Sequence, residues 1–97
     1  MVRHVVLLTF DEAATAEEIE AVATALRTLP ALIPELRNYV VGVDLGLADD
    51  NADVQVVADT DDLDGYFAYR DHPEHQRILI EQIRPILSSR TASQIDW

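Results

Sequence analysis

The stretch that decides the fold is VRHVVLLTF, Val2 to Phe10. It is rich in β-branched and aromatic side chains and reads as a strand. Successive side chains of a strand point to opposite faces. One face therefore carries His4, Val6, Leu8 and Phe10, and the other Arg3, Val5, Leu7 and Thr9. Both faces are apolar at the centre, so the strand expects cover on each side. The same run, with Met1 before it, superficially resembles a signal peptide. Asp11 and Glu12 follow it at once and no small-residue cleavage site appears, which favours the buried strand.

Working outward, Thr15-Ala-Glu-Glu18 forms a capping box, and Ile19, Val22, Ala23 and Leu26 continue it as one apolar helical stripe. Pro30 and Pro34 bound an irregular link. Residues 36–45 read as a second strand, Gly46 to Asn51 as a turn, and 53–59 as a third strand, antiparallel to the second because the link is short. Thr60 is placed to cap a short helix whose buried side is Leu63, Tyr66 and Phe67, with Asp61 and Asp62 in its first turn. His72-Pro73 then restarts a helix, since proline suits the first helical position. Ile78, Leu79, Ile83, Ile86 and Leu87 supply its stripe, Pro85 kinks its end, and residues 91–97 alternate as a fourth strand.

The order is βαββαβ in one α+β domain spanning residues 1–97, the ferredoxin-like arrangement of a four-stranded antiparallel sheet with helices on one face. No element remains for the other face, to which His4, Val6, Leu8, Phe10, Val54, Val56 and Ala58 are assigned. A second copy covers it, so the expected assembly is a homodimer, a dimeric α+β barrel of two sheets face to face.

Composition narrows function by exclusion. Net charge is −11, from 18 acids against seven bases, and every base is arginine. Neither nucleic acid nor an anionic membrane surface is an expected partner. The absence of lysine excludes Schiff-base chemistry, and the absence of cysteine excludes thiolate chemistry and disulfides. A hydrophobic fraction of 48% is too high for disorder. No apolar run reaches the roughly 18 residues of a membrane span, and a cytoplasmic location is expected. The acidic run from Asp49 to Asp64 lacks calcium-loop spacing and reads as a solvated edge.

At this point the chain resembles the stress-responsive α/β-barrel (Dabb) family. The matching pieces are VRHVVLLTF, LRTLPALIPELRNYVVG, YRDHPEHQ and IRPILSSRTASQIDW, in the right order over almost the whole length. The Tyr-x-x-His-Pro-x-His block, Tyr69 to His75, is the most specific. The resemblance implies a homodimer with each sheet facing its partner. Most members have no assigned reaction, and some plant members are polyketide cyclases that use a tyrosine and a histidine as acid and base without cofactor. Those positions fall on Tyr69 and His75, and a pocket histidine of the first strand falls on His4. The cyclases' further pocket histidine falls near Val54, where this chain departs from the pattern.

The residues themselves leave two readings open for each histidine. His72 and His75 lie on nearly one helix face, but a metal needs a third and usually a fourth ligand, so no metal is expected. His72 reads as a helix-start residue bonded to nearby backbone. His75, in the first turn, is held neutral by the helix dipole and can accept a proton, with Tyr69 donating one or holding an oxyanion. The alternative for this pair is a hydrogen bond that ties two helices together. For His4 the alternatives are a pocket role and a buried group satisfied across the dimer interface.

Three functions follow: a homodimer holding a small apolar ligand between sheet and helices, a cofactor-independent acid–base enzyme, or a stress-linked structural dimer. No organic cofactor is expected for any of them. A cavity that gathers His4, Tyr69 and His75 favours the enzyme, and a filled interior the structural dimer.

Overall fold

A computed structural model describes residues 1–97. The elements are β1 (Val2–Phe10), α1 (Ala16–Leu26), β2 (Asn38–Val43), β3 (Val54–Thr60), α2 (Leu63–Asp71), α3 (Pro73–Ile78) and β4 (Leu87–Asp96). The strands form one antiparallel sheet in the order β2-β3-β1-β4. This is the ferredoxin-like arrangement, with its second helix divided at His72. No helix is long and apolar enough to cross a membrane.

Local chemistry sets the helix starts. Both arms of the capping box form: Glu18 N donates to Thr15 Oγ1 at 3.1 Å, and Thr15 N donates to Glu18 Oε1 at 3.0 Å. α1 then buries Val22, Ala23 and Leu26. His72 starts α3, its Nδ1 accepting from Glu74 N at 3.1 Å, with Pro73 in the first turn. The cap of α2 is Asp62 rather than Thr60. Asp62 Oδ1 accepts from Gly65 N at 2.8 Å, while the Thr60 hydroxyl donates to the Asp62 carbonyl. Gly65 permits this closeness, because a Cβ there would lie 3.1 Å from Thr60 Cβ.

α2 buries Gly65 and Tyr69, with Tyr66 half-buried, while Leu63 and Phe67 are exposed. The expected Leu63–Phe67 face is therefore rotated outward. Phe67 lies instead beneath the Arg70 guanidinium, 4.8 Å from ring centroid to Cζ. After α3 the chain makes a π turn (Leu79–Ile83) and a 3₁₀ turn (Arg84–Ile86). Pro85 sits in that last turn and ends the helical run rather than kinking it. β4 begins at Leu87, four residues before the apolar alternation indicates. Its first half, LSSR, has no strand period and is recruited by pairing with β1 from Phe10↔Leu87 onward.

The main correction concerns the faces of the sheet. His4, Val6, Leu8, Phe10, Val54, Val56 and Ala58 lie under the helices, packed with Val22, Leu26, Ile78 and Ile83. The uncovered face is the other parity. Register places Val40, Val57 and Val5 in one row, Gly42, Gln55 and Leu7 in the next, and Asn38, Asp59, Arg3 and Ile95 in a third. Val40, Leu7 and Ile95 are exposed there. The mistaken parity follows from a sequence in which both sets are apolar, so alternation does not say which one the helices meet.

Candidate functional site

β1 sends His4 into the covered side of the sheet, α2 sends Tyr66 and Tyr69 down towards it, and the α2–α3 break swings His75 in beside them. All four line one cavity of about 110 Å³ between sheet and helices. Val6, Leu8 and Val56 form its floor, and Leu26, Leu79 and Ile83 its helical wall. Arg70 and Arg90 complete the lining and are its exposed members. The structure thus brings His4, Tyr69 and His75 together. His72, capping α3, is not part of this lining, and Val54 is buried in the core outside it.

The rings form a chain of contacts. Tyr69 and His75 stack at 4.4 Å between centroids with planes 27° apart. His4 lies 5.2 Å from Tyr66 and 6.2 Å from Tyr69. Tyr39 of β2 meets the far side of Tyr69 edge-on at 5.9 Å. The His75–Tyr69 relation is therefore stacking, and the expected inter-helix hydrogen bond is replaced by another. His75 Nδ1 lies 2.9 Å from the Arg70 carbonyl. A carbonyl only accepts, so Nδ1 carries the proton and Nε2 of the neutral ring holds a lone pair.

His4 has the opposite tautomer. Gln94 Nε2 lies 2.8 Å from His4 Nδ1. An amide nitrogen donates, so Nδ1 accepts and the neutral ring carries its proton on Nε2. His4 is thus satisfied within its own chain and on the helix side of the sheet, not across an interface between sheets. One cavity then holds a histidine acceptor and a histidine donor.

Burial sets the protonation of these groups. Desolvation, aided by the nearby Arg90 charge and His75, lowers the His4 pKa to about 4. His75 is also lowered, mainly by burial, against the opposing pull of the Arg70 carbonyl, and Arg90 adds to the lowering. Burial, rather than the start of the six-residue α3, is what keeps it neutral. The Tyr69 phenol is pushed up to about 12 by burial, so it keeps its proton at neutral pH and acts as a donor.

The sequence alone does not single out Arg90 or Gln94, and it reads Tyr66 as part of a packed face. The missing signal is the β1–β4 register, which pairs Leu8 with Arg90 and His4 with Gln94. With β4 begun at residue 91, Arg90 falls outside any element. No group of three or more His, Cys, Asp or Glu side chains is placed to hold a metal.

The comparisons with known proteins agree with the fold. The model of the stress responsive A/B barrel domain, Dabb, matches residues 2–97. The chain belongs to the Dabb family. A dimeric ferredoxin-like protein of unknown function from Thermobifida fusca is 48% identical, with a TM-score of 0.89, covering 99% of this chain and 90% of that one. A second dimeric protein of unknown function and ferredoxin-like fold, from Bacteroides fragilis, is 27% identical with a TM-score of 0.81, covering 99% and 95%. A hydroxynitrile lyase from Passiflora edulis shares the fold at 15% identity and a TM-score of 0.82, covering 97% of this Dabb chain and 90% of the lyase. No curated protein matches the sequence.

Proposed function

We propose that this Dabb protein is a homodimer whose cavity performs cofactor-independent acid–base chemistry on a small, largely apolar carbonyl compound. The observation that carries the chemistry is the pairing of opposite tautomers around one cavity beside a protonated phenol. His75 is the general base. It takes a proton from a carbon next to the carbonyl onto Nε2, and the C–H electron pair moves into the carbonyl to give an enolate. The Tyr69 hydroxyl and His4 Nε2–H donate hydrogen bonds to the oxygen as charge develops on it. Return of the proton from His75 to carbon, or to a new position, closes the cycle without redox change. A cavity of about 110 Å³ admits only the reacting end of a larger substrate; whole drug-sized ligands fill roughly 300–1,000 Å³.

The dimer is supported by the uncovered valines, Leu7 and Ile95, and by the dimeric relatives from Thermobifida fusca and Bacteroides fragilis. The chemistry is tested by deuterium exchange into a panel of small enolisable ketones, followed by NMR. The expected result is exchange that falls on the order of 10²-fold in His75→Ala and less in Tyr69→Phe. Wild-type exchange no faster than that of His75→Ala across the panel sinks the acid–base role.

A further inference from the structure

The charge of the cavity lining is opposite to that of the protein. The chain carries 18 acids and seven arginines. Yet the lining holds two arginines, Arg70 and Arg90, and no carboxylate. Surface hollows elsewhere keep the acidic balance: one is lined by Asp61, Asp62, Asp64 and Asp96, and another by Glu35, Asp61, Asp62 and Asp64 with a single arginine, Arg37.

The two arginines are not equivalent. Arg70 is occupied, its Nε and Nη2 donating to the Asp71 carboxylate at 2.8 and 3.1 Å, and its guanidinium lying over Phe67. Arg3, Arg27, Arg37 and Arg77 are likewise paired with carboxylates. Arg90 forms no such pair. It stands on β4 opposite Leu8, on the helix side of the sheet, with its charge felt by His4, Tyr69 and His75. In a chain of net charge −11, an unpaired guanidinium at the exposed end of an acid-free cavity is a fork of donors with no acceptor from the protein.

We infer that the cavity takes a small organic carboxylate, with Arg90 binding the carboxylate at the exposed end and the apolar body lying among Val6, Leu8, Val56 and the stacked rings. Guanidinium and carboxylate match in a two-bond planar geometry. The body that fits is no larger than a single ring. The cavity of about 110 Å³ is somewhat smaller than the engineered apolar cavity of about 150 Å³ in another protein that holds benzene. This inference rests on the cavity being a ligand site, as proposed above, but not on any reaction taking place there. It names the class of compound the site selects.

The test is titration with benzoate and with benzamide, its neutral isostere, followed through backbone amide NMR shifts. Benzoate is expected to bind on the order of 10-fold more tightly than benzamide. Arg90→Gln should erase that preference, Arg90→Lys should keep part of it, and Arg84→Gln, which changes another unpaired arginine outside the cavity, should keep all of it. Equal binding of the two compounds, or an unchanged preference in Arg90→Gln, overturns the inference. So does a shift of Arg90→Gln to monomer in sedimentation without change of preference, which assigns Arg90 to the dimer. Binding of neither compound overturns both this inference and the ligand site. His75→Gln separates the two proposals. It should abolish ketone exchange and weaken both ligands by removing one of the stacked rings, but leave the ratio of benzoate to benzamide affinity as in wild type, because that ratio belongs to Arg90. Exchange that is lost with the preference retained leaves both standing, whereas ketone exchange in a protein without any benzoate preference removes only the anion site.

Discussion

His4 and Asp59 are both buried polar residues, on neighbouring strands and on opposite faces of one sheet, and they have opposite fates. Asp59, on the open face, is fully buried beneath its own partners. It accepts from Arg3 Nε and Nη2 at 2.9 Å each and from Asn38 Nδ2 at 3.2 Å. Those bonds, the Arg3 ones first, hold its pKa below the usual carboxylate range. His4 on the covered face has one bond, to Gln94, and its ring lines a cavity with the other nitrogen unbonded. A saturated ion pair fixes a sheet, and its donors and acceptors are spent. A half-satisfied neutral ring keeps one group for something else. The difference between the faces is thus a difference in what remains unbonded, not in how polar they are.

The sharpest break of this comparison uses adjacent residues of β1. Val6→Asp places a carboxylate in the core beneath the helices, where an unpaired buried charge costs several kcal/mol. Against a typical total stability of about 5–15 kcal/mol, little folded protein should survive by circular dichroism. Leu7→Asp, one position along on the open face, should fold and shift sedimentation towards monomer. Leu7→Asp that unfolds as readily as Val6→Asp, or that stays fully dimeric, contradicts the assignment of faces.

Next in size is the open-face pair. Asp59→Ala removes the acceptor that Arg3 and Asn38 share and should lower the midpoint of chemical denaturation, by less than Val6→Asp does. The Arg3 side chain is 37% exposed, so water recovers part of the loss. Arg3 also stacks over Trp97 at 4.5 Å, which ties the strand end to the same pair. A double-mutant cycle of Arg3→Met with Asp59→Ala that shows no coupling removes the pair as a clamp.

These tests bear on what the sequence made legible. Element type was readable wherever one rule dominated: the capping box, the His-Pro restart and the turn residues after β2 all fall where local chemistry puts them. Parity was not. Val5 and Val6, or Val56 and Val57, have the same burial tendency, and only the helices above them decide which is covered. The site was half legible for a related reason. His4, Tyr69 and His75 stood out by residue type and spacing, while Arg90 and Gln94 sit on a Ser- and Thr-rich edge strand whose register comes from its neighbour β1. Cross-strand neighbours separated by over 80 residues leave no periodic trace.

A smaller effect comes from pH, and it separates the faces by titration. His4 has an unfolded value near 6.5 and a folded value of about 4. Between these values the unfolded chain binds more protons, so stability rises with pH. The contribution is complete above about 6.5 and is lost as pH falls towards 4, amounting to on the order of 3 kcal/mol if His4 acts alone. His75, also lowered, adds in the same direction. The Asp59 contribution, present above the ordinary aspartate range, is lost only at more acid pH. Melting temperature should therefore fall from pH 7 to pH 5 in wild type, and less steeply in His4→Asn. Parallel slopes for the two proteins show that His4 does not govern the window, and a melting temperature that rises as pH falls shows that relief of repulsion in a chain of charge −11 does.

The smallest effect has the opposite sign. Tyr39 packs edge-on against Tyr69, and its hydroxyl is buried with no hydrogen-bond partner. The Tyr69 hydroxyl is near enough to influence its ionisation but lies outside bonding geometry, and burial is the main cause of its raised pKa. In the unfolded chain that hydroxyl is bonded to water, so folding strips it without replacement. Tyr39→Phe keeps the ring and its contact with Tyr69 and removes the stripped group. It should stabilise the protein by roughly 0.5–1 kcal/mol, visible as a small rise in melting temperature, with ketone exchange at the His75 site unchanged. A loss of about 1 kcal/mol or more instead shows that the hydroxyl is bonded in solution. If that loss comes with slower exchange, its partner is Tyr69, and the donor end of the site extends through to β2.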